Sequence, residues 1–257
     1  RSVAGGDLGL AVFGVVGAIN HAPGGTDATI ALAEDATHIF TAGNFGFSDT
    51  LDGNGFTGVV ITTLPANGTM LLNGAAVSAG TFVTAAQLAA GQLTFTPAGN
   101  ANGSGLGAFT FQVRDDGGTA NGGADTDQSP NSISFTVASV NDAPAGTDAV
   151  LSATEDTPYT FTASNFGFSD PADGNAFAGG VISTLPANGT LTLNGAAVAA
   201  GTFVTAAQIS TGQLVWTPAA DANGSGLGSF TYQVRDDGGT PNGGVDTDQS
   251  PNSISFA

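Results

Sequence analysis

The chain contains no cysteine and no lysine, a single methionine and a single tryptophan, and its only basic residues are Arg1, Arg114 and Arg235. Without cysteine there is no thiolate metal site, thiol nucleophile or disulfide staple. Secretion stays open, because domains of ordinary size fold without staples. Against three basic residues stand 21 acidic ones, giving a formal net charge of −18. Nucleic acid and anionic membrane surfaces would be repelled. The longest apolar stretch, residues 8 to 19, is Gly-rich and too short to cross a bilayer, so no membrane insertion is expected. Preceded by a lone Arg1 and the intervening Asp7, it also makes a poor signal peptide, and any export signal is expected elsewhere. The two histidines, His21 and His38, have no matched serine, and no catalytic apparatus is visible, so an enzyme is not expected. Gly-rich stretches lack the lysine of a phosphate cradle.

What is present is written twice. Glu34-Asp35 returns as Glu155-Asp156, a register of 121 residues (155 minus 34) that holds from Asn20 to Phe256. In that register Asn44-Phe45-Gly46-Phe47-Ser48-Asp49 matches residues 165 to 170, and Arg114-Asp115-Asp116-Gly117-Gly118 matches residues 235 to 239. Each copy is read as one structural unit. The organisation expected is a strand-like segment over residues 1–19, a first repeat over 20–140 and a second over 141–257, joined at Asn141-Asp142-Ala143-Pro144, where proline stiffens a short linker. Residues 15 to 19 fall in register with residues 136 to 140, so the chain opens on what resembles the last strand of a preceding repeat. The 41% hydrophobic and 9% charged composition supports folded rather than disordered domains.

Forty glycines and short alternating apolar runs predict an all-β fold. In the second copy strands are expected at Tyr159 to Thr162, Val181 to Leu185 before Pro186, Leu191 to Leu193, Leu214 to Trp216, Phe230 to Val234 and Ile254 to Phe256. About seven strands per copy fit an immunoglobulin-like β-sandwich, two of them end to end. Asn67-Gly68, Asn73-Gly74, Asn188-Gly189 and Asn194-Gly195 supply turn chemistry, because Asn-Gly accepts the positive φ of tight hairpins. Thr84-Ala-Ala-Gln87 and Thr205-Ala-Ala-Gln208 have capping-box spacing, predicting one short helical turn in each copy. Trp216 and the phenylalanines at alternating positions are assigned to the core.

The acidic residues cluster. Nine register pairs account for most of them: Asp27/Asp148, Glu34/Glu155, Asp35/Asp156, Asp49/Asp170, Asp52/Asp173, Asp115/Asp236, Asp116/Asp237, Asp125/Asp246 and Asp127/Asp248. Duplication alone explains the pairing. It leaves unexplained the concentration in loops such as residues 169 to 175 and 236 to 239, where almost no basic side chain answers the charge. Converging carboxylates repel unless protonated or bridged by a cation. Ca²⁺ suits such loops, taking about six to eight oxygens from carboxylates, asparagine side chains and backbone carbonyls in irregular geometry. A merely solvated acidic surface is the plain alternative for any one of them. Asp49-Thr-Leu-Asp52-Gly-Asn54 lacks both the spacing and the closing Glu of an EF-hand. Because neighbouring strand residues face opposite ways, Asp236 and Asp237 need not serve one ion. A second, local site is expected in each repeat, where one of the two meets Asp246 and Asp248, or, in the first copy, one of Asp115 and Asp116 meets Asp125 and Asp127.

At these residues the chain resembles the cadherin-like repeats of large bacterial surface adhesins of the RTX/VCBS type. Asn141-Asp142-Ala143-Pro144 resembles the linker between cadherin domains, and Asp170-Pro-Ala-Asp173-Gly-Asn175 a loosened Asp-x-Asp loop. Val234-Arg-Asp236-Asp237-Gly238 resembles the Asp-Gly stretch after the penultimate strand, and Glu34 the acidic residue of the first strand. The resemblance implies one calcium site shared by successive domains, held by Glu34 with Asp35 beside it, Asn141, Asp142, Asp170, Asp173, Asn175, and Asp236 or Asp237. The first-copy set Asp49, Asp52, Asn54, Asp115 and Asp116, and Glu155 at the next junction, follow from the register. The Leu-Asp-Arg-Glu motif of cadherins is not present; Asp221-Ala-Asn223 lies nearby. His21 replaces Asp142 at the first linker, which should weaken that half-site.

Three functions follow as expectations. The first is a calcium-stabilised extender segment of a secreted bacterial cell-surface adhesin, whose partners are its neighbouring repeats. A second is an extracellular filament built head to tail, one copy donating residues 11 to 19 as a strand to the next. The last is a module binding a glycan or protein on a host or other surface, disfavoured because the loops of the two copies are nearly identical.

Overall fold

The computed structural model describes residues 17–225 and 227–257. The strand-like segment expected over residues 1–19 therefore lies outside the described residues, apart from residues 17–19, which are irregular and exposed. Contacts divide the chain into two compact units. The first comprises residues up to Leu32 together with Ala36–Val137, and the second Ala138–Ala257 together with Ala33–Asp35. Glu34 and Asp35, written in the first copy, thus cluster with the second unit.

In the first unit the strands are β1 (Ala28–Ala33), β2 (His38–Ile39), β3 (Phe56–Ile61), β4 (Thr69–Leu72), β5 (Ala75–Ala76), β6 (Phe82–Thr84), β7 (Leu93–Thr96), β8 (Gly103–Asp115) and β9 (Asn131–Ala138). The second unit repeats them as β10 (Ala149–Leu151), β11 (Tyr159–Thr160), β12 (Phe177–Ile182), β13 (Thr190–Leu193), β14 (Ala196–Ala197), β15 (Phe203–Thr205), β16 (Leu214–Thr217), β17 (Leu227–Asp236) and β18 (Asn252–Phe256). Each unit is an Ig-like sandwich of a five-stranded sheet, ordered β1-β9-β8-β3-β6 or β10-β18-β17-β12-β15, and a four-stranded one, ordered β2-β7-β4-β5 or β11-β16-β13-β14. Two-residue strands that alternation cannot reveal raise the number above seven.

The strand expected at Val181 to Leu185 lies earlier, at Phe177–Ile182. Ser183 and Thr184 both donate their amides to the Thr231 carbonyl, at 2.8 and 3.2 Å, which turns the chain out of the ladder before Pro186. The capping boxes form as written. Thr84 and Thr205 cap the single-turn helices α1 (Ala85–Ala89) and α2 (Ala206–Ser210), with Gln87 and Gln208 reaching back. Asn73 (φ 50°) and Gly74 (φ 79°) turn β4 into β5, and Asn194 and Gly195 do the same for β13 and β14.

Both cores are aromatic. Phe95 stacks on Phe135 with ring centres 4.0 Å apart, and at the same register Trp216 stacks on Phe256 at 3.9 Å. The larger indole is accommodated because its Nε1–H donates to the Asn188 carbonyl at 3.1 Å, so no polar atom is buried unpaired. Tyr232, fully buried, replaces Phe111 and places its hydroxyl 2.6 Å from the Thr147 carbonyl and 2.9 Å from that of Phe166. Burial, then the charge of Asp148, raises its pKa to about 12.

Candidate metal centre

The centre of each acidic cluster is an asparagine that the linker delivers into the unit. Asn141, 9% exposed, donates its Nδ2 to Asp236 Oδ1 at 3.0 Å, with the carbonyls of Gly239 and Val245 at 3.2 and 2.8 Å. Its Oδ1 accepts from Asn175 Nδ2. Gly238 must be glycine for this packing, since a methyl there would lie 2.0 Å from Asn141 Oδ1. Asp170 organises the loop, accepting the amides of Asp173 and Asn175 at 3.2 and 2.9 Å, and Asp173 in turn accepts the Asp142 amide at 2.6 Å.

Electrostatically the cluster is one-signed. Burial pushes the Asp142 carboxyl above its usual range, and the charges of Asp173, Asp35, Glu34 and Asp170 push the same way. Asp236, 3% exposed, is also raised, first by burial and then by Asp170 and Asp246, against hydrogen bonds from Gly238 and Asn141. Its Oδ2 is buried without a partner. Glu34 is 2% exposed and accepts the Val140 amide. Glu34, Asp35, Asn141, Asp142, Asp170, Asp173, Asn175 and Asp236 therefore belong to one neighbourhood.

The equivalent cluster of the first unit keeps the same frame. Asn20 Nδ2 donates to Asp115 Oδ1 at 2.9 Å and lies 3.1 and 2.9 Å from the Gly118 and Ala124 carbonyls, and Asn54 donates to Asn20. Asp115 Oδ2 is likewise buried and unpartnered. Asp49 accepts the amides of Leu51, Asp52 and Asn54; those of Asp52 and then Asn54 are the main cause of its lowered pKa. His21 changes the chemistry: its amide donates to Asp52 at 2.6 Å and its Nδ1 lies 3.1 Å from the same carboxylate.

At the second set of carboxylates the Asp115 and Asp236 amides donate to the Asp125 and Asp246 carbonyls, both at 3.0 Å, but among the described residues no three acidic side chains there form a ready metal cage. Asp125 and Asp246 are ion-paired with Arg114 and Arg235, which hold both carboxyls below their usual range. Asp127 accepts the amides of Gly25 and Ser129, both at 2.9 Å, and Asp248 those of Gly146 and Ser250, both at 2.8 Å. Asp116 and Asp237, just past the ends of β8 and β17, accept the amides of Gly55 and Ala176, both at 2.7 Å. Glu155 is exposed, apart from the cluster its counterpart Glu34 joins. Asn20 and the arginine pairs escaped the sequence reading; the 121-residue register with Asn141 was the available signal for Asn20, whereas the arginine partners required the fold.

Does the donor set fit calcium? The atoms are all hard oxygens from carboxylates and asparagine carbonyls, among the described residues no arginine or histidine is ion-paired with Asp142, Asp170, Asp173 or Asp236, and a buried carboxylate oxygen is left over. Among the described residues no three acidic or histidine side chains already enclose a point as a ready-made metal cage. Chemistry thus fits, while the oxygens are turned to backbone amides that hold the loops in place.

Comparison with known proteins agrees with the fold. The sequence model of the bacterial Ig domain family matches residues 141–248, most of the second repeat. No curated protein matches the chain. Among solved structures, human mucin-like protocadherin EC1-2 is similar at 11% identity over 91% of this chain and 96% of that one, with a TM-score of 0.43. Human CDH23 EC21-23 is similar at 14% over 89% and 70%, with a TM-score of 0.42. An endo-fucoidan hydrolase of glycoside hydrolase family 107 is similar at 19% identity over 92% of this chain, with a TM-score of 0.31, and the chain spans only 28% of its length. The chain is a tandem of two Ig-like β-sandwich repeats.

Proposed function

We propose that the chain is a calcium-stabilised structural segment of a secreted bacterial cell-surface adhesin, with Ca²⁺ stiffening the junction between successive repeats rather than assisting catalysis. The observation that carries this reading is the buried, unpartnered Oδ2 of Asp236, the carboxylate to which Asn141 is bonded, together with the next residue, Asp142, whose carboxyl is pushed up by burial and four neighbouring carboxylates. Glu34, Asn141, Asp142, Asp170, Asp173, Asn175 and Asp236 would hold the ion, with Asp35 beside them. When bound, the cation supplies positive charge that offsets their repulsion. The residues themselves keep the loops ordered: Asp170 and Asp173 by capping amides, Asn141 by tying the linker to Asp236 and to two carbonyls.

Differential scanning calorimetry in EDTA and in millimolar calcium tests it. A ligand at a hundredfold excess over its Kd adds about 2.7 kcal/mol to the folded state. The unit reported by Trp216 fluorescence should melt higher in calcium, and small-angle scattering should show a narrower distribution of conformations. Identical melting and scattering in both buffers would remove the calcium reading.

A further inference from the structure

At the edge of the four-stranded sheet the two units carry different rings, His38 in β2 and Tyr159 in β11. His38 lies opposite Phe95 of β7 and meets the Phe40 ring edge-on, with ring centres 4.8 Å apart. Its Nε2 is buried without a hydrogen-bond partner, while the Asn44 side chain bonds the same ring. Tyr159, opposite Trp216, packs on Phe161 with ring centres 5.3 Å apart. A phenol keeps its proton up to about pH 10, whereas an imidazole gains one near neutrality. Around His38 no charge is placed to receive that proton. Strands β7 and β9 and the 3-10 turn Ala42–Phe45 contain no ionisable residue. Strand β8 contains Arg114 and Asp115, but the first is paired with Asp125 and the second is bonded to Asn20. Along the chain the nearest carboxylates are Asp35, which is exposed, and Glu34, which accepts the Val140 amide.

We propose that His38 makes the first unit an acid-sensitive repeat: protonation gives the buried Nε2 an N–H and a positive charge where, among the described residues, neither finds a partner, and the two-residue strand β2 is released from β7. Release uncovers Phe40, which is fully buried and whose amide donates to the Leu93 carbonyl at 3.0 Å. An edge strand held by so few hydrogen bonds opens locally at a small fraction of the cost of global unfolding. Burial holds the folded imidazole below its ordinary 6.5, against the bond with Asn44. The closed form therefore binds the proton less readily than the open one. Its stability is whole above pH 6.5 and is lost as pH falls through 6.5 toward the lowered folded value. The second unit, with Tyr159 in that place, keeps its edge strand. This device is independent of calcium.

Hydrogen exchange of the full chain in EDTA, read at about pH 7.5 and about pH 5.5 and corrected for intrinsic rates, tests it. With an ordinary value of 6.5, an exposed imidazole is charged about ten to one at the lower pH, so opening around Phe40 and Leu93 should rise by up to about tenfold. His38→Tyr, which copies Tyr159, should abolish the rise. Tyr159→His should carry an acid response into the second unit, where Trp216, the residue opposite, reports it by fluorescence. An equal rise in the native chain and in His38→Tyr overturns the proposal, assigning the loosening to carboxylates. A His38 imidazole that titrates by proton NMR at its ordinary value without faster exchange also overturns it, because the closed strand then accepts the charge.

Discussion

The two acidic clusters share a frame and differ in the residue after the linker asparagine and in the acidic residues around it. Asn20 and Asn141 make the same three contacts in their units, and Asp115 and Asp236 each keep one buried, unpartnered oxygen. His21, however, sits on Asp52, whereas Asp142 faces Asp173, Asp35, Glu34 and Asp170. One cluster places a histidine against its loop carboxylate, and the other places a further carboxylate among four like charges. The lesson is that the hydrogen-bonded frame belongs to the fold, whereas the local charge balance changes with the residue after the linker asparagine.

The largest test attacks the shared frame. Asn141→Ala and Asn20→Ala each remove a donor to a buried carboxylate and to two carbonyls, and should cost about 3 kcal/mol in their own units. Equal losses by hydrogen exchange would show the frame is common; a loss in one unit only would break the comparison. Next comes the cation. His21→Asp should raise the calcium-induced stabilisation of the first unit toward about 2.7 kcal/mol at a hundredfold excess over Kd, and Asp142→His should lower that of the second. Calorimetric titration reads both, and insensitivity to either exchange would detach calcium from this position.

A smaller effect separates the cores. Tyr232→Phe copies Phe111 into the second unit and should cost about 1 kcal/mol by losing the hydroxyl's bond to the Thr147 or Phe166 carbonyl. Because the folded phenol titrates at about 12 rather than at the ordinary 10.0, its contribution is whole below pH 10 and is lost as pH rises through about 12. Alkaline melts followed by Trp216 should show that loss in the native chain and not in Tyr232→Phe. Smallest of all, Arg235→Gln breaks a pair whose arginine is 39% exposed, so below about 1 kcal/mol is expected. Asp246 is lowered by Arg235, so this contribution is present above pH 3.8 and fades as pH falls through the folded value. Acid melts of the two proteins should converge there.

Features set within a few residues were legible without coordinates. Thr84 finds Gln87 three positions on, and Asn73-Gly74 closes a hairpin whatever surrounds it. The strand at residues 177–182 was misplaced because its end is set by Thr231, almost fifty residues away, and not by the apolar run. Within the candidate site, the loop carboxylates were picked out by clustering and the linker residues by resemblance, and Asp170 and Asp173 cap the amides of that loop and linker. Those given to Arg114 and Arg235 were not distinguished from them, since Asp125 and Asp127 read alike until one meets a guanidinium and the other the Gly25 amide.

The sequence by itself determined that there are two copies of one all-β unit, where their tight turns and helical caps fall, and that almost no positive charge exists to answer the negative. Those are properties of composition and short spacing. Tertiary structure decided which carboxylates are already satisfied, that Asp125 and Asp246 are paired with arginines, and that Glu34 clusters with the second unit. The physical reason is distance along the chain. A carboxylate's state depends on what lies within a few ångströms of it, and here that is an amide or a like charge brought from about a hundred residues away.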